Sequence, residues 1–474
     1  MSFLGIDLGT GSLKLAIIDD EGREQVATSI AYAIDTPHPG WAEIDPLVWW
    51  RALCEAAARF PEAQRSAVRA IGFSGQMHGV VLSDAHGHAV RPAMLWPDTR
   101  AVSLLDAWPA PQPNPVAPGM AGPLLRWVAL HEPQSMHATR WALQPKDWLR
   151  FKLGGAIATD PSDACATALA EPSGAWDRAL VERLGLSGDW FAPLAPSYAA
   201  GGTLSEEAAQ ALGLRAGIVL AMGAGDTPCA ALGSGLASDG DALLTTGTGG
   251  QILVLATEEP DAVPGLHRYR AATDHWYRMA AMQNVGVALE AVRGWLSYDW
   301  HDAYRDAFES DAADGLTFLP YLTGERTPWL NPAARGGWLG LALGMSRGAM
   351  MRAAFEGVAF SLRAGLDAIR QSGARVPALR LAGGGSVDPR WRQLLADALQ
   401  VELHAVDCPN AAARGAAMLG GIAAGHWHAG DLAALAPAAT RVAGPQDDAQ
   451  LAARYARFID LYGRVEAWFA QPPA

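Results

Sequence analysis

The 474-residue sequence has little cysteine: Cys54, Cys165, Cys229 and Cys408 stand far apart and form no C-x-x-C pair. A disulfide framework is therefore not expected, and a reducing compartment is. Basic residues are outnumbered, 36 Lys and Arg against 49 Asp and Glu, giving a formal net charge of −13. With no run of Lys or Arg, the electrostatic footprint of a nucleic-acid binder is missing. A phosphate-bearing ligand would have to be held locally, by backbone N–H groups, helix N-termini and a divalent cation. No apolar run approaches the roughly 18 residues of a membrane span. Residues 1–7 meet a charge without a preceding basic region. Neither a membrane anchor nor a signal peptide is expected, and the expected location is the cytoplasm. The pattern G-x-x-x-x-G-K-[ST] is absent, so any phosphate loop is not of the Walker kind.

What is present suits a large α/β protein. Half of the residues are hydrophobic, ample for two or three buried cores. Residues 3–6 are a short apolar run, Leu13, Leu15 and Ile17 alternate as in a strand, and residues 25–33 can form a third. Leu8-Gly9-Thr10-Gly11-Ser12 and Asp19-Asp20-Glu21-Gly22 are the turns of this opening β-meander. Asp45-Pro46 predicts an N-cap and a first-turn proline for a helix over 46–60. The Pro-rich stretch 108–123 is expected to be a loop, and 147–153 and 177–184 to be helical. A second strand–turn–strand unit, residues 242–246, Gly247-Thr248-Gly249-Gly250 and residues 251–255, repeats the opening. The chain thus predicts two related halves, 1–235 and 236–474. In the second, Phe355, Val358, Leu362, Leu366 and Ile369 keep helical spacing. Residues 379–382 suit a buried strand, and Asp388-Pro389 opens a helix with Trp391, Leu394, Leu395 and Ala398 on its apolar face. Strands alternating with helices give an α/β expectation for both halves.

Four glycine-rich turns could carry chemistry. In Asp7-Leu8-Gly9-Thr10-Gly11-Ser12, glycines let the backbone approach a ligand, hydroxyls can donate to phosphate, and Asp7 can hold a metal-bound water. An ordinary hairpin is the bland alternative, weakened by the second copy at 247–250. Gly223-Ala224-Gly225-Asp226-Thr227 follows an apolar strand, 217–221, and places a carboxylate among small residues, as a general base requires. On local sequence alone, Asp226 as a helix cap is the stronger reading. Gly383-Gly384-Gly385 lies between a strand and a helix and can seat a nucleotide. Gly75-Gln76-Met77-His78-Gly79 follows the strand 70–73 and offers hydrogen bonds to a polyhydroxylated ligand, although on local sequence alone a structural role for the Met-His pair is the stronger reading. His86 and His88, like His426 and His428, lack a third nearby ligand and read as exposed turns.

Together these strings resemble the FGGY carbohydrate kinases along nearly the whole chain. The likeness is carried by Gly5-Ile6-Asp7-Leu8-Gly9-Thr10, Thr245-Thr246-Gly247-Thr248-Gly249-Gly250, Leu381-Ala382-Gly383-Gly384-Gly385, Leu143-Gln144-Pro145-Lys146-Asp147-Trp148-Leu149 and Gly337-Trp338-Leu339-Gly340-Leu341. It implies two actin/hexokinase/Hsp70-like (ribonuclease H-like) ATPase domains with a central cleft, the sugar on the 1–235 side and ATP on the 236–474 side. Ser74-Gly75-Gln76-Met77-His78-Gly79, Ser162-Asp163-Ala164 and Tyr321-Leu322-Thr323-Gly324-Glu325-Arg326-Thr327-Pro328 are most similar to the branch that phosphorylates D-xylulose at its 5-hydroxyl. Ribulose, a pentitol or glycerol are the other acceptors in view, and a non-sugar ATPase switch of the same fold is the rival class.

By the resemblance, Asp226 is the proton acceptor, and Met77, His78, Asp226 and Thr227 face the sugar. Gly9, Thr10, Gly11, Ser12, Gly247, Thr248, Gly249, Gly383, Gly384 and Gly385 lie at the ATP, and Asp7 and Asp226 at Mg²⁺, with Asp7 also catalytic. Small-molecule sugar and ATP are the expected partners, without nucleic acid or membrane, and a homodimer is left open. Thr227 stands where that branch tends to have Asn, Pro97 where it has Asn, Gly249 where it has Ser and Trp329 where His is common. Thr227 and Pro97 fall near the expected sugar site and bear on which sugar is taken.

Overall fold

The computed structural model describes residues 1–110, 112, 114–310 and 315–469. The chain divides into two compact units. The first comprises Met1–Ser238, Arg268–Tyr277 and Asn410–Pro437; the second comprises Asp239–His267, Arg278–Pro409 and Ala438–Ala474.

The first unit is built on the strand Ser2–Leu8, buried on both faces as its continuous apolar run requires. It pairs antiparallel with Ser12–Asp19, which pairs antiparallel with Glu24–Ala31, forming the expected meander. On its other side it runs parallel to Val68–Gly75, followed by Val219–Ala221 in parallel and Ala200–Thr203 as an antiparallel edge. Ala224–Gly225 pairs in parallel with Ser74 and Gly75. One sheet face, with Leu4, Ile6 and Leu15, packs on the helix Pro46–Ala58 through Trp49 and Leu53. That helix starts where the sequence places it: Asp45 accepts from Leu47 N at 3.0 Å, and Pro46 occupies the first turn. The other face, with Phe3 and Ala70, packs on Asp226–Gly233 and Ala411–Ala423 through Cys229, Leu232, Ala416 and Met418.

The second unit repeats this order of pairings. Ala242–Thr246 is antiparallel to Gly250–Ala256 and parallel to Ala378–Ala382, which is parallel to Glu402–Val406; Ala439–Ala443 closes the edge antiparallel. Trp276–Met282 and His267–Arg270 extend the other side of the sheet, and the hairpin tip Arg268–Tyr277 groups with the first unit. The core is built on Leu244, Ile252, Leu379 and Leu381 against the helix Arg347–Gln371, whose Phe355, Val358, Leu362, Leu366 and Ile369 are all buried. Ser346 caps that helix, accepting from Ala349 N at 3.0 Å.

The Pro-rich stretch 108–123 is not wholly loop. The helix Ala121–His131 begins inside it, with Pro123 in the first turn, where a missing N–H leaves no helical bond unmade. Residues 111 and 113 of that stretch lie outside the described residues. Among the described residues, no helix is long and apolar enough to cross a membrane.

Candidate active site

Parallel strands place their carboxyl ends, and the loops that follow, along one edge of a sheet, where α/β proteins bind ligands. In the first unit the register sets Leu8 beside Gly75 and Gly75 beside Gly225. The chain leaves those positions at Gly9 and Gln76, which open loops, and at Asp226, which opens a helix, so three motifs distant in sequence converge.

The register also explains the surroundings of Asp7. Its cross-strand neighbours are Lys14 and Ser74. Ser74 Oγ donates to Asp7 Oδ1 at 2.8 Å. Burial raises the Asp7 pKa above the usual carboxylate value, against the pull of Ser74 and Lys14. The turn after it is well tied. Gly9 N donates to Ser12 O at 3.0 Å, Tyr32 OH to Gly9 O at 2.6 Å, and Trp96 Nε1 to Thr10 Oγ1 at 2.8 Å. Gln76, fully buried, donates through Nε2 to Gly9 O at 3.3 Å and accepts from Thr10 Oγ1 at 3.4 Å. This links the 9–12 turn to the Met77-His78 loop.

His78 takes φ of 76°, a left-handed conformation unusual for a side chain of its size, and its Nδ1 lies 2.7 Å from Ala166 O. Met77 is buried against Gly225: a Cβ on Gly225 would stand 2.9 Å from Met77 Sδ.

Asp226 is the first residue of the helix Asp226–Gly233, and Gly225 is its cap. The reading of Asp226 as the helix cap is therefore not met, since Gly225 holds that position. Asp226 Oδ1 accepts from Thr227 N at 2.7 Å, inside the first turn, and Thr227 Oγ1 lies at 3.4 Å. Burial and then the negative charge of Asp7 raise its pKa to about 7, against the two Thr227 bonds. The negative charge of Asp7 thus opposes ionisation of Asp226, a repulsion that a bound divalent cation would relieve.

In the second unit, Thr245 pairs with Ala382, so the 247–249 turn and Gly383-Gly384-Gly385 leave adjacent strand ends. Gly383 has φ of 96°, and a Cβ there would meet Thr246 O at 2.3 Å. Gly385 N donates to Thr246 O at 3.3 Å, and the buried hydroxyls of Thr246 and Ser386 lie 2.8 Å apart. Gly247 O accepts from Gly286 N at 3.0 Å, and Thr248 O accepts from Val287 N at the same distance. The predicted residues therefore form two groups. Asp7, Gly9, Thr10, Gly11, Ser12, Met77, His78, Asp226 and Thr227 lie in the first unit; Gly247, Thr248, Gly249, Gly383, Gly384 and Gly385 lie in the second. Tyr32, Trp96 and Ser386, which position these loops, carry no local sequence signal, and Ser74 was legible only as part of the family string. Gln76, inside the Met-His motif, carried one.

Residues 2–233 match the FGGY family of carbohydrate kinases, N-terminal domain, and residues 242–424 match its C-terminal domain. A xylulose kinase of Escherichia coli K12 is 33% identical, over 83% of this chain and 84% of that protein. One of Bacillus subtilis 168 is 31% identical, over 98% of this chain and 96% of that protein. The crystal structure of a xyloylose kinase from Brucella ovis superposes with a TM-score of 0.93 at 33% identity, covering 99% of this chain and 100% of that one. The chain belongs to the FGGY family of carbohydrate kinases, and its small-molecule substrates are accordingly a sugar and ATP.

Proposed function

We propose that the chain transfers the γ-phosphoryl group of ATP to the 5-hydroxyl of D-xylulose, giving D-xylulose 5-phosphate and ADP. The observation that carries the reading is the meeting of Met77 and His78 with Gly225 and Asp226 at neighbouring strand ends, the carboxyl of Asp226 raised to about 7. A base with that affinity accepts a hydroxyl proton near neutral pH and gives it up again each cycle. The relatives named xylulose kinase support the choice of sugar.

In this mechanism Met77, His78 and Thr227 orient the sugar, and Asp226 takes the proton from the attacking oxygen. That oxygen bonds to the γ-phosphorus as the bond to the ADP oxygen breaks. Asp7 and Asp226 would hold Mg²⁺, which supplies charge neutralisation to the phosphates. Turns 9–12 and 247–249 and Gly383-Gly384-Gly385 offer backbone approach to ATP, with the nucleotide mainly on the 236–474 side and the sugar mainly on the 1–235 side. The acidic chain, without a basic run, fits free small molecules in the cytoplasm.

An ATP-coupled screen over ketoses, aldoses and polyols tests this. The expected outcome is strongest turnover with D-xylulose. Stronger turnover with ribulose, a pentitol or glycerol would replace the sugar but keep the reaction. ATP hydrolysis indifferent to every sugar would remove the kinase reading in favour of an ATPase switch.

A further inference from the structure

A buried charge cluster lies behind the segment that delivers Asp226. Lys146 Nζ lies 2.8 Å from Asp147, 2.8 Å from Asp160 and 3.1 Å from Asp163, and Arg150 lies 2.7 Å from Asp147. None of these five side chains reaches solvent. Burial pushes the Asp163 carboxyl well above the usual carboxylate range, against the pull of Lys146. Two cations and three carboxyl groups thus share one buried cluster, and their mutual ion pairs make such burial tolerable.

Three backbone groups of residues 222–225 end on this cluster. Met222 O accepts from Arg150 Nη1 at 2.5 Å. Gly223 N donates to Ser197 O at 2.9 Å, and Ser197 Oγ donates to Asp160 Oδ2 at 2.7 Å. Gly225 N donates to Ser162 Oγ at 3.1 Å, and Ser162 Oγ donates to that same Asp160 oxygen at 2.5 Å. A serine hydroxyl has one proton to give. Asp160, an acceptor, takes it, which turns a lone pair of Ser162 toward Gly225 N. Lys146 in turn holds Asp160. The polarity of the relay is fixed from end to end, and it stops one residue before Asp226.

We propose that Ser162, oriented by Asp160, is a positioning residue for phosphoryl transfer: it fixes Gly225 and through it the direction of the Asp226 carboxylate. The proposal rests on Asp226 being the base. Ser162 is fully buried, so its loss should act on turnover and leave binding intact.

The test compares Ser162→Ala, Ser162→Cys and Ser162→Thr in the full chain, with Asp226→Asn measured alongside. Ser162→Ala and the nearly isosteric Ser162→Cys, a poor acceptor, should each lower kcat by about 10- to 100-fold, the range a misplaced catalytic group costs. KM for sugar and for ATP should stay within about two-fold, since ground-state binding is untouched. Ser162→Thr keeps the hydroxyl and should recover kcat to within about three-fold. A wild-type kcat in Ser162→Cys, or a kcat loss in Ser162→Thr equal to that of Ser162→Ala, overturns the proposal. If Asp226→Asn collapses while the Ser162 variants turn over normally, the positioning role alone fails. If Asp226→Asn itself keeps turnover, the base assignment fails and the relay with it.

Discussion

At the scale of one residue, Asp226 is under opposing demands. Burial and the Asp7 charge hold a proton on its carboxyl up to about pH 7, while a base must be ionised before it can accept one. The acid limb of kcat/KM for the sugar should therefore fall about ten-fold per unit below pH 7. In Asp7→Asn, whatever activity remains should have its limb at lower pH, because a repelling charge is gone; a limb that stays near 7 would separate the two carboxyls. Asp226→Asn should lower turnover by at least about 10²-fold. The same raised pKa has a stability cost. Between about pH 4 and 7 the folded state holds a proton that the unfolded state has released, so stability falls as pH rises through that window. Asparagine removes the loss. Thermal melts should show Asp226→Asn at least as stable as the parent at pH 8 and equal to it near pH 4, so a collapse in turnover cannot be assigned to unfolding.

At the scale of elements, the legible parts of the fold were those with a local signal. The opening meander, the Asp45-Pro46 helix and the Arg347–Gln371 helix all announce themselves by alternation, a cap or a stripe. The helix Ala411–Ala423 does not: it is made largely of Ala and Gly and has no distinct apolar stripe. Its role is close approach. A Cβ on Gly5 would lie 1.7 Å from Ala413 O, and one on Gly72 the same distance from Ala416 O. Its buried Arg414 donates to Gly22 O at 2.9 Å and Gly233 O at 2.7 Å. Contacts between residues several hundred positions apart leave no periodic trace in either partner, which is why sequence reading missed them. Gly72→Ala should therefore destabilise by about 3 kcal/mol or more, since neither facing element is a flexible side chain. Denaturant unfolding measures it; a loss under about 1 kcal/mol would mean the helix can shift away.

At the scale of the molecule, two units repeat one order of strand pairing, and each exposes loops at the carboxyl ends of its parallel strands. The repeat was legible because the two strand–turn–strand units share a Gly-Thr-Gly core. The gathering of Asp7, Met77, His78 and Asp226 was legible only through likeness to a family, since no local pattern relates strand ends 67 or 150 residues apart. Ser74 and the Lys146 cluster stood inside strings that carried that likeness, but their roles were not legible, because they depend on partners far apart in the sequence. If the sugar is bound by the first group and the nucleotide by the second, the two affinities should be separable by mutation. Gly383 offers the cleanest lever. It combines φ of 96° with a carbonyl where a Cβ would stand, so Gly383→Ala must move the turn against Thr246. Strain of about 1–3 kcal/mol at this turn corresponds to roughly ten-fold or more in affinity for whatever the turn binds. KM for ATP should rise by about that factor while KM for the sugar stays within about two-fold, because nothing in the Met77, His78 and Asp226 group has been touched. A sugar KM that rises in parallel would show that the two groups do not bind their substrates independently.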